Sequence, residues 1–172
     1  MSSALKRHYL KDDPQLAAEI PSQHCLFGTH LLSIEHSTLN IEHSAAQKEA
    51  DANNGQCSMV NGQSTVAVVE AEKTAVILSE VYPEYLWLAA GGLYELTAVK
   101  LFPLRGRRII LFPDTDPDGT AFSTWYHVML EAQRLLGQTI HLSPLLEQKA
   151  TADQKRRKID LVDFLEESGH LQ

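Results

Sequence analysis

The chain has 172 residues, with 15 Lys and Arg against 22 Asp and Glu, a formal charge of −7, and 44% hydrophobic residues. This is one domain's worth of chain with enough apolar content for a core, and no apolar run approaches the ~20 residues needed to cross a bilayer. The acidic balance argues against non-specific coating of nucleic acid, and MSSALKRHYLKDDPQ at the start lacks the apolar stretch of a signal peptide, which makes the cytoplasm the expected location.

In chain order, residues 1–34 read as an N-terminal extension ending in CLFGTHLL (25–32), an apolar patch suited either to start a helix or to cover an edge of the main domain. Residues 35–64 hold almost no bulky apolar side chains, so they are expected to form a long flexible polar loop, with a surface helix through SAAQKEADA as the alternative. The main domain runs over 65–168, with 169–172 as a tail. TVAVVE (65–70) is a strand, EKTAVILSEV (72–81) a helix, and YLWLAA (85–90) a strand stopped by Gly91 and Gly92. LYELTAVKLF (93–102) then reads as a helix, RRIILFPD (107–114) as a strand, and 119–137 as a long helix closed by Gly137. QTIHLSP (138–144) supplies a fourth strand and IDLVDFLEES (159–168) a last helix. Strands apolar on both faces and alternating with helices imply an α/β fold: a mainly parallel, Rossmann-like sheet of about four strands with helices on both faces.

In such a fold, sites form at the carboxyl ends of the strands. Those ends carry Glu70, Gly91 with Gly92, and Asp114-Thr115-Asp116. Carboxylates delivered to one edge by two strands repel one another unless a cation joins them, and hard oxygen donors suit Mg²⁺ or Mn²⁺. On that reasoning, neutralising Asp116 should stabilise the metal-free fold. The competing role for these acids is local, with Asp118 as cap of the helix that begins near Gly119. DTDPDG (114–119) also fits the opening of an EF-hand loop, but the twelfth position is Trp125 where a bidentate Glu belongs, and a strand precedes the loop.

The order VAVVEAEKTAVIL, an apolar strand ending in Gly-Gly, and IILFPDTDPDGTAF resembles the Toprim domain, the catalytic fold of bacterial-type primases, topoisomerases and some nucleases. Glu70 stands where that family has its first-motif Glu, Asp114 and Asp116 where it has D-x-D, and Gly119 where primase-type members carry a Gly. KIDLVDFL (158–165) resembles the acidic helix start that closes primase-type Toprim regions. The combination of VExEKTA with CLFGTHLL is most similar to Toprim-like proteins associated with primases of bacterial mobile elements. Ala71 departs from the Gly that primases usually carry after the motif Glu.

The resemblance implies Mg²⁺-dependent (or Mn²⁺-dependent) phosphoryl transfer on nucleic acid in DNA replication or mobile-element maintenance. Asp114 and Asp116 would hold the ion, and Glu70 would act as a further ligand or as a general acid/base. A non-catalytic Toprim-like accessory module and a Toprim nuclease are the alternatives. The implied partners are single-stranded DNA or an RNA-DNA hybrid, with a separate primase or helicase subunit. For phosphate contact the candidates are Lys73, the backbone at Gly91 and Gly92, and the run Lys155, Arg156, Arg157, which Lys158 extends. Arg105, Arg107 and Arg108 precede the Asp strand, and Arg107 and Arg108 enter it at the end remote from Asp114. His24, Cys25 and His30 lack a fourth zinc ligand at usual spacing, and neither a G-x-S-x-G elbow nor a P-loop occurs.

Overall fold

The computed structural model describes residues 25–32 and 64–171. The polar loop read over 35–64 therefore lies outside the described residues apart from Ser64, as do residues 1–24 and Gln172. The described elements are β1 (Thr65–Val69), α1 (Glu72–Val81), β2 (Tyr85–Ala89), a 3₁₀ helix (Val99–Leu104), β3 (Ile109–Leu111), α2 (Thr120–Leu136), β4 (His141–Leu142), α3 (Leu145–Lys149), α4 (Ala152–Arg157) and α5 (Leu161–Glu167). The four strands form one sheet in the order β2-β1-β3-β4. All pairings are parallel, with Val66 opposite Leu86 on one side and Ile109 on the other.

All five residues of β1 are buried, as a central strand covered on both faces requires. Side chains alternate across a strand, and the two cores follow that alternation. Val66, Val68, Leu88, Ile109 and Leu111 pack on one face with Trp125, Met129 and Ala132 of α2. Ala67, Val69, Trp87 and Ala89 pack on the other with Ala75 and Leu78 of α1, and with Leu161 and Val162 of α5.

Three elements differ from the sequence expectation, the first being the strand read over 107–114, which is confined to Ile109–Leu111. Residues 93–102 do not form an α-helix; the chain runs as a loop into the 3₁₀ helix. Pro103 lies inside that helix and has no N–H for an α-type bond, while Ala98, Leu101 and Leu104 are buried at the three-residue spacing of a 3₁₀ turn. The fourth strand shrinks from 138–144 to His141–Leu142, because β4 pairs only with the short β3. The helices α3 and α4 occupy a stretch where none was expected.

The CLFGTHLL segment covers the edge of the sheet. Phe27 pairs antiparallel with Ala89 of the edge strand β2, donating at 2.8 Å and accepting at 3.2 Å, and Leu26 is buried. Gly28 makes this approach possible: its φ is +85°, and a Cβ there would stand 2.9 Å from Leu88 Cδ2 and 3.2 Å from the Trp87 carbonyl oxygen. Gly28→Ala is expected to cost about 1–2 kcal/mol in a denaturant melt. An unchanged midpoint would show that the segment contributes nothing to the fold.

Candidate functional site

The chain leaves β1 to form β2 on one side, then returns to form β3 on the other. This makes the carboxyl ends of β1 and β3 the switch point of the sheet, where crevices open in α/β folds. A cleft of about 380 Å³ lies there, lined by Glu70, Asp114, Thr115 and Asp116 together with Leu93, Tyr94 and Lys158. Glu70 follows directly on β1, and Asp114 stands three residues beyond the end of β3. The structure thus brings all three predicted carboxylates to one cleft, but their surroundings separate their roles.

Burial is the main force on Asp114. It pushes the carboxyl up to about 8, helped by the nearby charges of Glu70, Asp160 and Asp163. Burial also raises Glu70, a backbone hydrogen bond from Leu93 offsets part of that rise, and the charge of Asp116 adds to it. Asp116 behaves in the opposite way. It is 9% exposed, and burial alone would raise it, yet backbone N–H groups outweigh that effect and hold it below its usual range. Its Oδ1 accepts from the N–H of Asp118 at 2.9 Å and of Thr120 at 3.0 Å, and its Oδ2 accepts from Ala121 at 2.6 Å.

Asp116 is therefore the cap of α2, the role expected of Asp118 from the sequence. The chain reaches this geometry because Gly119, at the N-cap position, takes φ +67°, which lets the loop turn back so that one carboxylate meets successive N–H groups. Trp125, which stands where an EF-hand would need Glu, is fully buried and donates from Nε1 to the Leu93 carbonyl oxygen at 3.0 Å, pinning the loop after β2 to α2.

The sequence reading did not single out Asp160 and Asp163 as site residues. They form a reciprocal capping box at the start of α5: Asp160 Oδ1 accepts from the Asp163 N–H at 2.8 Å, and Asp163 Oδ2 accepts from the Asp160 N–H at 3.2 Å. Thr74 of α1 donates to Asp160 Oδ2 at 2.5 Å, and the Thr115 N–H donates to the Ile159 carbonyl oxygen at 3.2 Å. These two bonds hold the start of α5 beside the Asp114 loop. The D-x-x-D spacing of the box was visible in KIDLVDFL, but its approach to Asp114 depends on where α5 docks.

The proposed phosphate contacts are scattered. Lys73 is exposed on the first turn of α1 and does not line the cleft. Gly91 and Gly92 take φ +90° and +145°, so their role is to form the turn after β2, and they too lie outside the cleft lining. The basic run lies on α4 and is internally neutralised. Lys155 pairs with Glu147 at 2.6 Å, Arg156 with Asp153 at 3.0 Å, and Arg157 with both Asp153 and Glu167, the latter at 2.7 Å. Lys158 alone of the run lines the cleft, where it ends α4 in the left-handed region at φ +55°.

As a donor set, the cleft offers hard carboxylate oxygens of the kind that hold Mg²⁺ or Mn²⁺. Thr115, on its wall, is 2% exposed, and its hydroxyl has no hydrogen-bond partner. Among the described residues, however, no group of three or more His, Cys, Asp or Glu side chains is disposed to hold a metal ion, and three of the lone pairs of Asp116 are committed to backbone. No helix among the described residues is long and apolar enough to cross a membrane. No curated protein and no solved structure matches the chain. A family model described as a domain of unknown function (DUF6371) matches residues 36–115, a stretch that takes in β1 to β3 with Glu70 and Asp114 and stops before α2 and the acidic start of α5.

Proposed function

We propose that the cleft is a divalent-cation and phosphate site, and that the protein acts on nucleic-acid phosphates in the manner of the Toprim domains it resembles. One observation carries this reading. Glu70 and Asp114 come from adjacent parallel strands at the switch point, and with Asp160 and Asp163 they gather negative charge around a carboxyl so disfavoured as an anion that it holds its proton to about pH 8. A cation reverses that penalty. Asp114 and Glu70 are the residues that would hold Mg²⁺ or Mn²⁺, and the ion would neutralise phosphate charge during transfer. Asp116 serves chiefly by fixing the loop that carries Asp114, and Glu70 is placed to act as a ligand or as a general acid/base.

The test is a set of melts in chelator and in excess Mg²⁺ or Mn²⁺. At ten times its Kd an ion is expected to add about 1.4 kcal/mol. The gain should be larger at pH 8 than at pH 5, because binding must displace the Asp114 proton. Asp114→Asn should lose most of it. Absence of any gain at pH 8 with either ion would sink the metal reading.

A second reading is favoured by the ion pairs of Lys155, Arg156 and Arg157, which leave few cations to track a nucleic-acid backbone. In it the chain is a non-catalytic accessory module that works beside a separate primase or helicase subunit. Turnover of labelled single-stranded DNA and RNA-DNA substrates in Mg²⁺ separates the two, and distinguishes nucleotidyl transfer from nuclease action.

A further inference from the structure

On the face of the sheet that α1 and α5 cover, the packing is incomplete. Tyr82, Tyr85 and Phe112 belong to that core, yet all three stay half-buried around a pocket of about 210 Å³. Trp87 lines it as well, and leucines of α3 and α5 close the remaining side. The pocket shares no lining residue with the acidic cleft.

Three rings run in a row along it. Tyr85 and Trp87 meet edge to face with centroids 5.6 Å apart and planes at 61°, and Trp87 and Phe112 follow at 5.7 Å and 40°. Neither pair is stacked flat, so the ring faces are not used up on one another. The Trp87 indole donates to the Tyr82 carbonyl oxygen at 3.0 Å, which satisfies its one N–H and fixes the ring. Among the described residues that line the pocket, the one charged group is the carboxylate of Glu84, beside Tyr85, and there is no Lys, Arg or His.

An aromatic face carries negative potential and a carboxylate adds to it, so this lining selects a cation. Its shortage of polar atoms selects which cation. A metal ion or a bare ammonium would give up tightly held water and find few acceptors in return, whereas an alkylated ammonium has little hydration to lose and offers methyl groups to the rings. We infer that the pocket is a binding site for a small methylated or quaternary ammonium compound, held by Tyr85, Trp87 and Phe112, with Glu84 balancing its charge. The volume is below the roughly 300 Å³ at which sites for drug-sized ligands begin, which suits a headgroup of a few carbons. None of the large apolar residues exposed elsewhere lines the pocket, so it does not continue into a surface that a protein partner would bury. The occupant is therefore a free small molecule and not a methylated lysine of a partner. The inference stands apart from the metal and phosphate reading of the cleft.

The experiment is titration of the full chain with choline, followed by tryptophan fluorescence and ligand-observed NMR. Ammonium ion and the neutral analogue of choline, with carbon in place of the quaternary nitrogen, are titrated beside it. Choline is expected to bind on the order of 10-fold more tightly than either. Tyr85→Leu, which keeps apolar bulk but removes the ring, should weaken choline on the order of 5-fold, while Tyr85→Phe should retain it. Glu84→Gln should weaken choline and leave the neutral analogue unchanged. Tyr126→Ala, which removes an exposed tyrosine outside the pocket, should change nothing.

Absence of choline binding, equal binding of choline and its neutral analogue, or ammonium binding as tightly as choline would each overturn the inference. These comparisons use the wild-type chain, so they decide the matter even where a variant fails to fold. Choline affinity unchanged in both Tyr85→Leu and Glu84→Gln would place the ligand elsewhere and overturn it too. A trimethyllysine peptide that displaces choline at far lower concentration would assign the pocket to a protein partner and overturn the small-molecule inference.

Discussion

Asp114→Asn is expected to raise the stability of the metal-free protein at pH 8 and to remove most of its dependence on pH above about pH 4. The folded-state carboxyl of Asp114 is raised from 3.8 to about 8 by burial and by its acidic neighbours. A group raised in this way contributes stability that is complete below its unfolded value and is lost as pH climbs to its folded one. The loss runs at roughly 1.4 kcal/mol per pH unit, on the order of 4 kcal/mol across the window from pH 5 to pH 8. Glu70, also raised, adds to the loss with the same sign. Asn keeps the shape of Asp without the ionisation. In chelator, the wild-type melting temperature should fall by on the order of 10 °C between pH 5 and pH 8, and the variant should hold nearly level. A flat wild-type profile, or a variant that follows the wild type down, would show that Asp114 is solvated and unstressed.

Asp116→Ala is expected to destabilise the protein by about 3 kcal/mol, because it strips one charged acceptor from three backbone N–H groups, of which that of Ala121 is buried. Asp116→Asn retains Oδ1 for Asp118 and Thr120 but turns an amide nitrogen toward Ala121 if that orientation is kept, and should cost about half as much. This reverses the sign expected when the three carboxylates are treated as equivalent like charges. The pH signature is the mirror of that of Asp114. A lowered carboxyl contributes stability that is present above the unfolded value of 3.8 and is lost as pH falls through the folded one. The alanine variant should therefore flatten the acid limb of the stability curve and keep the fall that Asp114 causes between pH 5 and pH 8, losing only the part of the Glu70 rise that the Asp116 charge supplies. A variant more stable than wild type in chelator would restore the simple repulsion picture.

The difference between these two residues shows where local pattern stops being informative. Both are Asp, two positions apart in one strand-end loop, and both are brought to the cleft by the same strand. What separates them is the backbone turn through Gly119, which directs successive N–H groups at one carboxylate and leaves the other facing Glu70, Asp160 and Asp163.

The amino-acid sequence by itself determined the sheet and its carboxyl edge. Continuous apolar runs in TVAVVE and YLWLAA, helical spacing in EKTAVILSEV and the closing Gly137 are short-range signals, and β1, α1, β2 and α2 follow them to within a residue or so. Glu70 and Asp114 reach the cleft because strand ends carry them there. Tertiary structure alone decided the rest. The pairing of Lys155 with Glu147 and of Arg157 with Glu167 depends on α3, α4 and α5 folding back on one another, so a basic run in the sequence became a neutral surface in space. Asp160 and Asp163 meet Asp114 because Leu161 and Val162 pack on the face of the sheet that α1 also covers, across a separation in sequence that no periodicity spans. Periodicity reports which face of an element is apolar. Which charges then become neighbours is settled only when those faces are packed together.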